Sequence, residues 1–171
     1  MKHLVKIINI FLIIAAAGVL LWLVNMNFLR SRQIDIKAEF GQDQPMMTRL
    51  GPDARLKIEN GQEMILADPV YFDLRSLPWF NKMRLKIVYL ESNRLLNGIG
   101  PQTAAGWQYD IAKPISINHR SDGFVEAYYD FDLNKIYHKK NIRRFAISSS
   151  PSSSAAAGQI IIQSLNVTLY Q

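Results

Sequence analysis

Two tryptophans directly follow turn residues, Trp79 after Pro78 and Trp107 after Gly106, and Tyr109 stands two positions beyond the second. A flat ring on a turn matches the C–H face of a pyranose, while nearby amides or carboxylates bond its hydroxyls. Trp79, Trp107 and Tyr109 are therefore the candidate ligand-binding residues, with a glycan as the ligand class. The competing role for any aromatic of this chain, Tyr71 and Tyr89 included, is packing inside the fold, the commoner use of aromatics in strands. Tyr128 and Tyr129 are adjacent, so in a strand they point to opposite faces, and at least one of them should be exposed or at an edge.

A second concentration of chemistry is electrostatic. Lys135, Lys139, Lys140, Arg143 and Arg144, with His138, place five positive charges and no acid within ten residues. Such a patch suits anionic lipid, an acidic polymer or an acidic partner subunit, against the plainer role of a solvated loop. The chain carries 20 Lys and Arg against 14 Asp and Glu, a net charge of +6, so the patch supplies most of the excess. Nucleic acid is disfavoured as a partner by the expected placement outside the cytoplasm, not by charge.

Asp110, Asp122, Asp130 and Asp132, with Glu126, are the one acidic grouping suited to hydrolysis or to calcium. Asp130 and Asp132 share a parity around Phe131 and should lie on one face at a strand end. A solvated strand end is the plainer reading of them, because paired carboxylates need specific separations in space. The chain has no Cys and three His, at positions 3, 119 and 138, which excludes a disulfide scaffold, a thiolate nucleophile and a Cys-based metal site. No Walker A, G-x-S-x-G, H-E-x-x-H or EF-hand loop is present. The expectation is a non-enzymatic protein without catalytic residues, cofactor or metal.

These residues must be positioned by elements that the hydropathy pattern marks out. Residues 7–29 form an uncharged run that as a helix would span roughly 34 Å, enough to cross a hydrocarbon core of about 30 Å. Lys2 and Lys6 precede it, and Arg30 and Arg32 follow it. A cleaved signal peptide is the rival, but the small residues Ala15, Ala16, Ala17 and Gly18 lie mid-run, and Asn27-Phe28-Leu29 is a poor cleavage site. The reading is a short tail at 1–6, a single transmembrane helix at 7–29 acting as an uncleaved signal anchor, and an extracytoplasmic domain at 30–171. The flanking charges nearly balance, so the N-terminus-in orientation rests on the short tail and the large domain behind the anchor.

The domain reads as strands. Ile34, Ile36, Ala38 and Phe40 alternate with polar residues; 56–59 and 62–66 flank Asn60-Gly61, a pair suited to a type I′ hairpin. Further segments are 70–74, 83–89, 95–99, 107–111, 115–117, 124–131 and 144–147, separated in part by Gly98, Gly100-Pro101, Gly106 and Pro114. Residues 133–138 suit one short turn. Residues 148–158 are Ser- and Ala-rich and predict a mobile loop. A long final strand follows, whose alternation slips at Gln163-Ser164 and so predicts a β-bulge. Nine or ten strands without a helical stripe point to an all-β antiparallel sandwich.

The order Asp68-Pro69-Val70-Tyr71-Phe72-Asp73-Leu74, then Pro78 and Phe80, the strand 83–89, Gly106-Trp107-x-Tyr109, and the aliphatic C-terminal strand resembles jelly-roll domains of the carbohydrate-binding-module type. It is also similar to extracytoplasmic β-sandwich modules associated with bacterial peptide-type ABC transport permeases. The likeness spans residues 34–170 and implies a jelly-roll fold. Sugar-binding modules of this type often bind calcium and stack sugars on exposed aromatics, but no matched motif here locates either site. The expected function is a membrane-anchored extracytoplasmic interaction module, an accessory subunit of a membrane or envelope complex, with the bilayer and a membrane or envelope protein as partners. The alternative is a tethered carbohydrate-binding module.

Overall fold

The computed structural model of the chain describes residues 2–24, 32–152 and 158–171. They belong to two compact units that divide after Gln33. The first contains the helix α1 (Lys2–Val24). Residues 2–6, set apart by their charges as a tail, join the helix because no Gly or Pro interrupts it and Lys is a good helix former. Side chains are described for Lys6 and residues 8–23, and each is exposed. That stretch is shorter than the roughly 20 apolar residues a span needs, and among the described residues no helix is long and apolar enough to cross a membrane. The span expected at 7–29 thus lies partly outside the described residues.

The second unit is built of strands in two antiparallel sheets. In chain order they are β1 (Gln33–Lys37), β2 (Leu56–Glu59), β3 (Gln62–Ile65), β4 (Val70–Arg75), β5 (Lys82–Ser92), β6 (Arg94–Pro101), β7 (Ser116–His119), β8 (Val125–Asp132), β9 (Ile142–Pro151) and β10 (Gln159–Tyr170). The larger sheet runs β2-β3-β10-β5-β8-β7, with β1 also on β10; the smaller runs β4-β9-β6. The expected antiparallel all-β sandwich is what forms. Its core holds Phe72 and Leu74 of β4, Phe145 and Ile147 of β9, and Leu85, Ile87, Tyr129 and Leu165 of the larger sheet. Phe72 stacks on Phe145 at 5.5 Å, and Phe131 meets Phe145 edge-on at 5.3 Å, an arrangement favoured by the ring quadrupoles.

Local chemistry explains the turns. Asn60 (φ 54°) and Gly61 (φ 73°) make the β2–β3 turn, both in the left-handed region a type I′ turn requires. The register of β10 against β5 shifts between Ile162 and Ser164, the expected bulge. Tyr129 is buried and Tyr128 half-exposed, as their adjacency demands. Residues 133–135 form a short 3-10 turn.

Three expectations are corrected. Gly98 does not end a strand: it lies within β6, where the register against β9 shifts between Leu96 and Gly98, and the strand runs on to end at Gly100-Pro101. Residues 107–111 are not a strand: Tyr109 forms an isolated bridge with Gln102, just past β6, Asp110 N–H donates to the Pro101 carbonyl at 3.0 Å, and Ala112 beyond them bridges Ile99. The stretch 148–158 is β-strand as far as Pro151, because Ser148, Ser149 and Ser150 find backbone partners on β6 and need no apolar side chains to hold there. Ser149 N–H also donates to the Asp68 carboxylate at 2.6 Å. Residues 153–157, the centre of the expected mobile loop, lie outside the described residues.

Candidate ligand-binding cleft

The alternation of β4 decides what the smaller sheet shows to solvent. Val70, Phe72 and Leu74 are buried, which turns Tyr71 and Asp73 outward. On β9 the same rule buries Arg143 and Phe145 and turns Arg144 outward. Asp73 and Arg144 are register partners, and the guanidinium donates to both carboxylate oxygens, Nε at 2.7 Å and Nη2 at 2.8 Å. It also lies 4.8 Å from the Tyr71 ring centroid. This bidentate pair beside an aromatic face is the floor of the site.

One wall follows from two glycines. A Cβ on Gly98 would stand 2.1 Å from the Ala112 carbonyl oxygen, and one on Gly100 would stand 1.8 Å from that of Asp110. Glycine alone therefore lets the chain return so close along β6. The return makes a tight loop over residues 103–108, closed at its neck by Thr103 N–H to the Gln108 carbonyl at 2.9 Å. The Gln102 side-chain amide donates to the Gly106 carbonyl within the loop. Trp107 is carried to Tyr71 with ring centroids 5.7 Å apart, tilted by 56°, and stays 68% exposed. Tyr109 is half-buried near Arg144, Asp73 and Tyr71. Burial pushes its pKa up while the nearby Arg144 opposes this.

The opposite wall is the turn into β9. Lys139 and Ile142 exchange both backbone hydrogen bonds at 3.0 Å, leaving Lys140 (φ 52°) and Asn141 (φ 62°) as the two left-handed central residues. Among the described residues neither Lys139 nor Lys140 has an ion-pair partner. Between the walls is a cleft of about 490 Å³. Gln102, Ala105 and Gly106 line one side, Tyr137, Lys139, Lys140 and Ile142 the other, and Asp73 and Arg144 the base. On formal charge it holds three cations against one carboxylate, which the base pair already uses.

The fold thus joins two groups that are far apart in sequence. Lys139, Lys140 and Arg144 line one concavity; Trp107 directly follows Gly106 of its lining, but neither Trp107 nor Tyr109 lines it, and three of the expected residues stand farther apart. Trp79 is half-exposed beside Phe80, ring centroids 6.1 Å apart, and lines none of the clefts described. Lys135 pairs with Asp132 at 3.4 Å. Arg143 is not part of a surface patch at all. It is 8% exposed, and it donates to the Leu133 carbonyl from Nε at 3.2 Å and Nη2 at 3.1 Å, and from Nη1 to the Ser76 hydroxyl. Burial lowers its pKa, and its role is to fasten β9 to the 3-10 turn. Asp73, Gln102 and Tyr137 escaped the sequence reading because each is unremarkable until strand register sets it beside the others.

Four of the five residues of the acidic grouping, Asp122, Glu126, Asp130 and Asp132, have partners. Asp130 is bidentate with Arg84 at 2.7 Å, Asp122 pairs with Arg120 at 2.6 Å, and Asp132 caps the 3-10 turn by accepting from Asn134 N–H at 3.1 Å. Asp110, Asp130 and Asp132 do line one small cleft together. Among the described residues, however, no group of three or more His, Cys, Asp or Glu could hold a metal ion. Compared with known proteins, the chain matches no protein-family model and no curated protein sequence.

Proposed function

We propose that the chain is a single-pass membrane protein whose β-sandwich works outside the cytoplasm as a non-enzymatic binding module, an accessory part of a membrane or envelope complex. The supporting observation is the helix. Phe11, Leu12, Ile13, Ile14, Val19 and Leu20 of α1 are all more than half exposed, and their positions go all round a 3.6-residue helix. Each would gain roughly 1.5–3 kcal/mol on leaving water. The whole uncharged run at 7–29 has the length of a bilayer span, and the short tail before it, with the large domain behind it, suits an N-terminus left in the cytoplasm. The resemblance to jelly-roll modules, including those of peptide-type ABC transport permeases, fits a domain held beside a membrane complex, and the finer jelly-roll form of the sandwich rests on it. The chain should stay in the membrane fraction after alkaline carbonate extraction, and a C-terminal reporter active only in an oxidising compartment should be active. Release into the supernatant or a silent reporter would overturn the placement. Purification in mild detergent should retain a stable partner; repeated recovery of the lone chain would overturn the accessory role.

A second reading, a tethered carbohydrate-binding module, is favoured by Trp107. Its ring packs against Tyr71 and is 68% exposed. Trp79 lacks such a setting, so binding that fails in Trp79→Ala but survives in Trp107→Ala would overturn this reading.

A further inference from the structure

We propose that the cleft between the 103–108 loop and the Lys139–Ile142 turn binds an acidic saccharide, a sugar unit bearing a carboxylate or a phosphate. The inference rests on the sandwich being a binding module, and adds what it binds and where.

The charge argument comes first. Arg144 is neutralised by Asp73 through two short hydrogen bonds, so the base of the cleft is polar but balanced. Among the described residues Lys139 and Lys140 on the wall have no ion-pair partner, and no other carboxylate lines the cleft. The unmet charge is positive, and a ligand anion is what would meet it. The position of Lys140 reinforces this. The left-handed region at φ 52° is natural for Gly, Asn or Asp, and a Lys there carries a conformational cost of order 1 kcal/mol. A long cation at a site that backbone geometry would give to Gly is explained by what its side chain does.

The ring argument is independent of charge. Trp107 packs against Tyr71 and is 68% exposed, and it directly follows Gly106 of the lining, so an exposed ring stands next to the cleft, outside its lining residues. Gln102 and Tyr137 bring an amide and a hydroxyl to the lining, groups that match sugar hydroxyls. A volume of about 490 Å³ falls in the range of pockets for small ligands, of order 300–1,000 Å³. A protein partner needs instead about 800 Å² of surface on each side. The anion would sit on Lys139 and Lys140, with the pyranose against Trp107.

The test is titration calorimetry on the full chain in a zwitterionic, sugar-free detergent. The probes are a polyuronate oligomer, a phosphorylated oligosaccharide, a neutral oligosaccharide of equal length, inorganic phosphate and a Glu-rich peptide. One of the two acidic oligosaccharides should bind at least about tenfold more tightly than the neutral one, and whichever does identifies the anion. Binding should fall at least about tenfold in Lys139→Gln/Lys140→Gln and in Trp107→Ala, and be unchanged in Lys135→Gln. Lys140→Gly separates site from fold: it should keep or raise the unfolding midpoint while weakening binding. Equal binding of the neutral oligosaccharide, or indifference to the Lys139/Lys140 change, would overturn the acidic preference and leave the binding module standing. The saccharide would be overturned if the peptide or free phosphate bound as tightly, and the site itself if none of the probes bound.

Discussion

The outer faces of the two sheets treat their charges differently. On the larger sheet Arg84 of β5 and Asp130 of β8 are register partners joined by two hydrogen bonds of 2.7 Å. Beside them Lys86 meets Glu126 at 3.0 Å and lies over the Tyr128 ring at 5.5 Å, holding the Glu126 carboxyl below its usual range. Arg84 and Lys86 each have an anion within the sheet. On the smaller sheet one pair, Asp73 and Arg144, is matched in the same way, but a loop and a turn rise around it and bring two lysines that have no ion-pair partner among the described residues. Flat pairs that balance each other need only water. A concave face with surplus charge is completed by something else, and that difference, more than the number of basic residues, locates the site.

The largest effect should come from the residue that sits next to the cleft in sequence but turns away from it. Arg143→Ala leaves the Leu133 carbonyl and the Ser76 hydroxyl without their donor in a buried setting, and should destabilise the domain by about 3 kcal/mol. Urea unfolding of the full chain in detergent measures it. Arg144→Ala, one position on, should cost about 1 kcal/mol because its pair is partly exposed. Equal losses for the two would break the division between inward and outward residues of β9.

An inward carboxylate sharpens the contrast with the outward ones. Glu63 of β3 is 2% exposed, and its Oε2 has no partner. Burial, with help from Asp53 and against Arg49, raises its pKa from 4.5 to about 7. The folded state therefore keeps a proton that the unfolded chain gives up. The associated stability is fully present below about pH 4.5 and is lost as pH rises through about 7, a change of roughly 3 kcal/mol. Glu63→Gln should remove this step from the pH profile of the unfolding free energy and make the protein more stable at pH 8. A profile that keeps the step would mean that another group causes it.

Arg84→Gln and Arg144→Gln compare the two faces directly. Each should lower stability by no more than about 1 kcal/mol, yet only the second should weaken acidic-saccharide binding in the calorimeter. Loss of binding in both would erase the distinction between the faces. The smallest effect is that of salt. Going from 0.05 to 1 M NaCl, values set by the screening length, should change the cost of Arg84→Gln by only a few tenths of a kcal/mol, read from paired denaturation curves.

Much of the fold was legible from local pattern. Asn60-Gly61 specified a left-handed turn because few other residue pairs tolerate two positive φ values. The slip at Gln163-Ser164 specified a bulge because strand parity is strict. The same strictness told Tyr128 from Tyr129, but not which of the two faced in. What misled was a residue's neighbours in space. Gly98 looked like a strand end, whereas with Gly100 it is the gap through which residues 110–112 approach β6. The serines at 148–150 looked like loop for want of apolar side chains, but backbone pairing with β6 holds them. Arg143 and Arg144 looked like one patch, and parity sent them to opposite sides of the sheet.

By itself the sequence determined the alternations, the turn chemistry, the absence of thiol chemistry and the apolar run at the start, because each depends on residues within a few positions of one another. Only the tertiary structure decided that Asp73 would meet Arg144, that Trp107 would rest on Tyr71, and that Lys139 and Lys140 would face the same hollow. Those meetings depend on the register of β4, β9 and β6 and on the close return of the chain after Pro101. Register is a property of paired strands, which no single stretch of sequence contains.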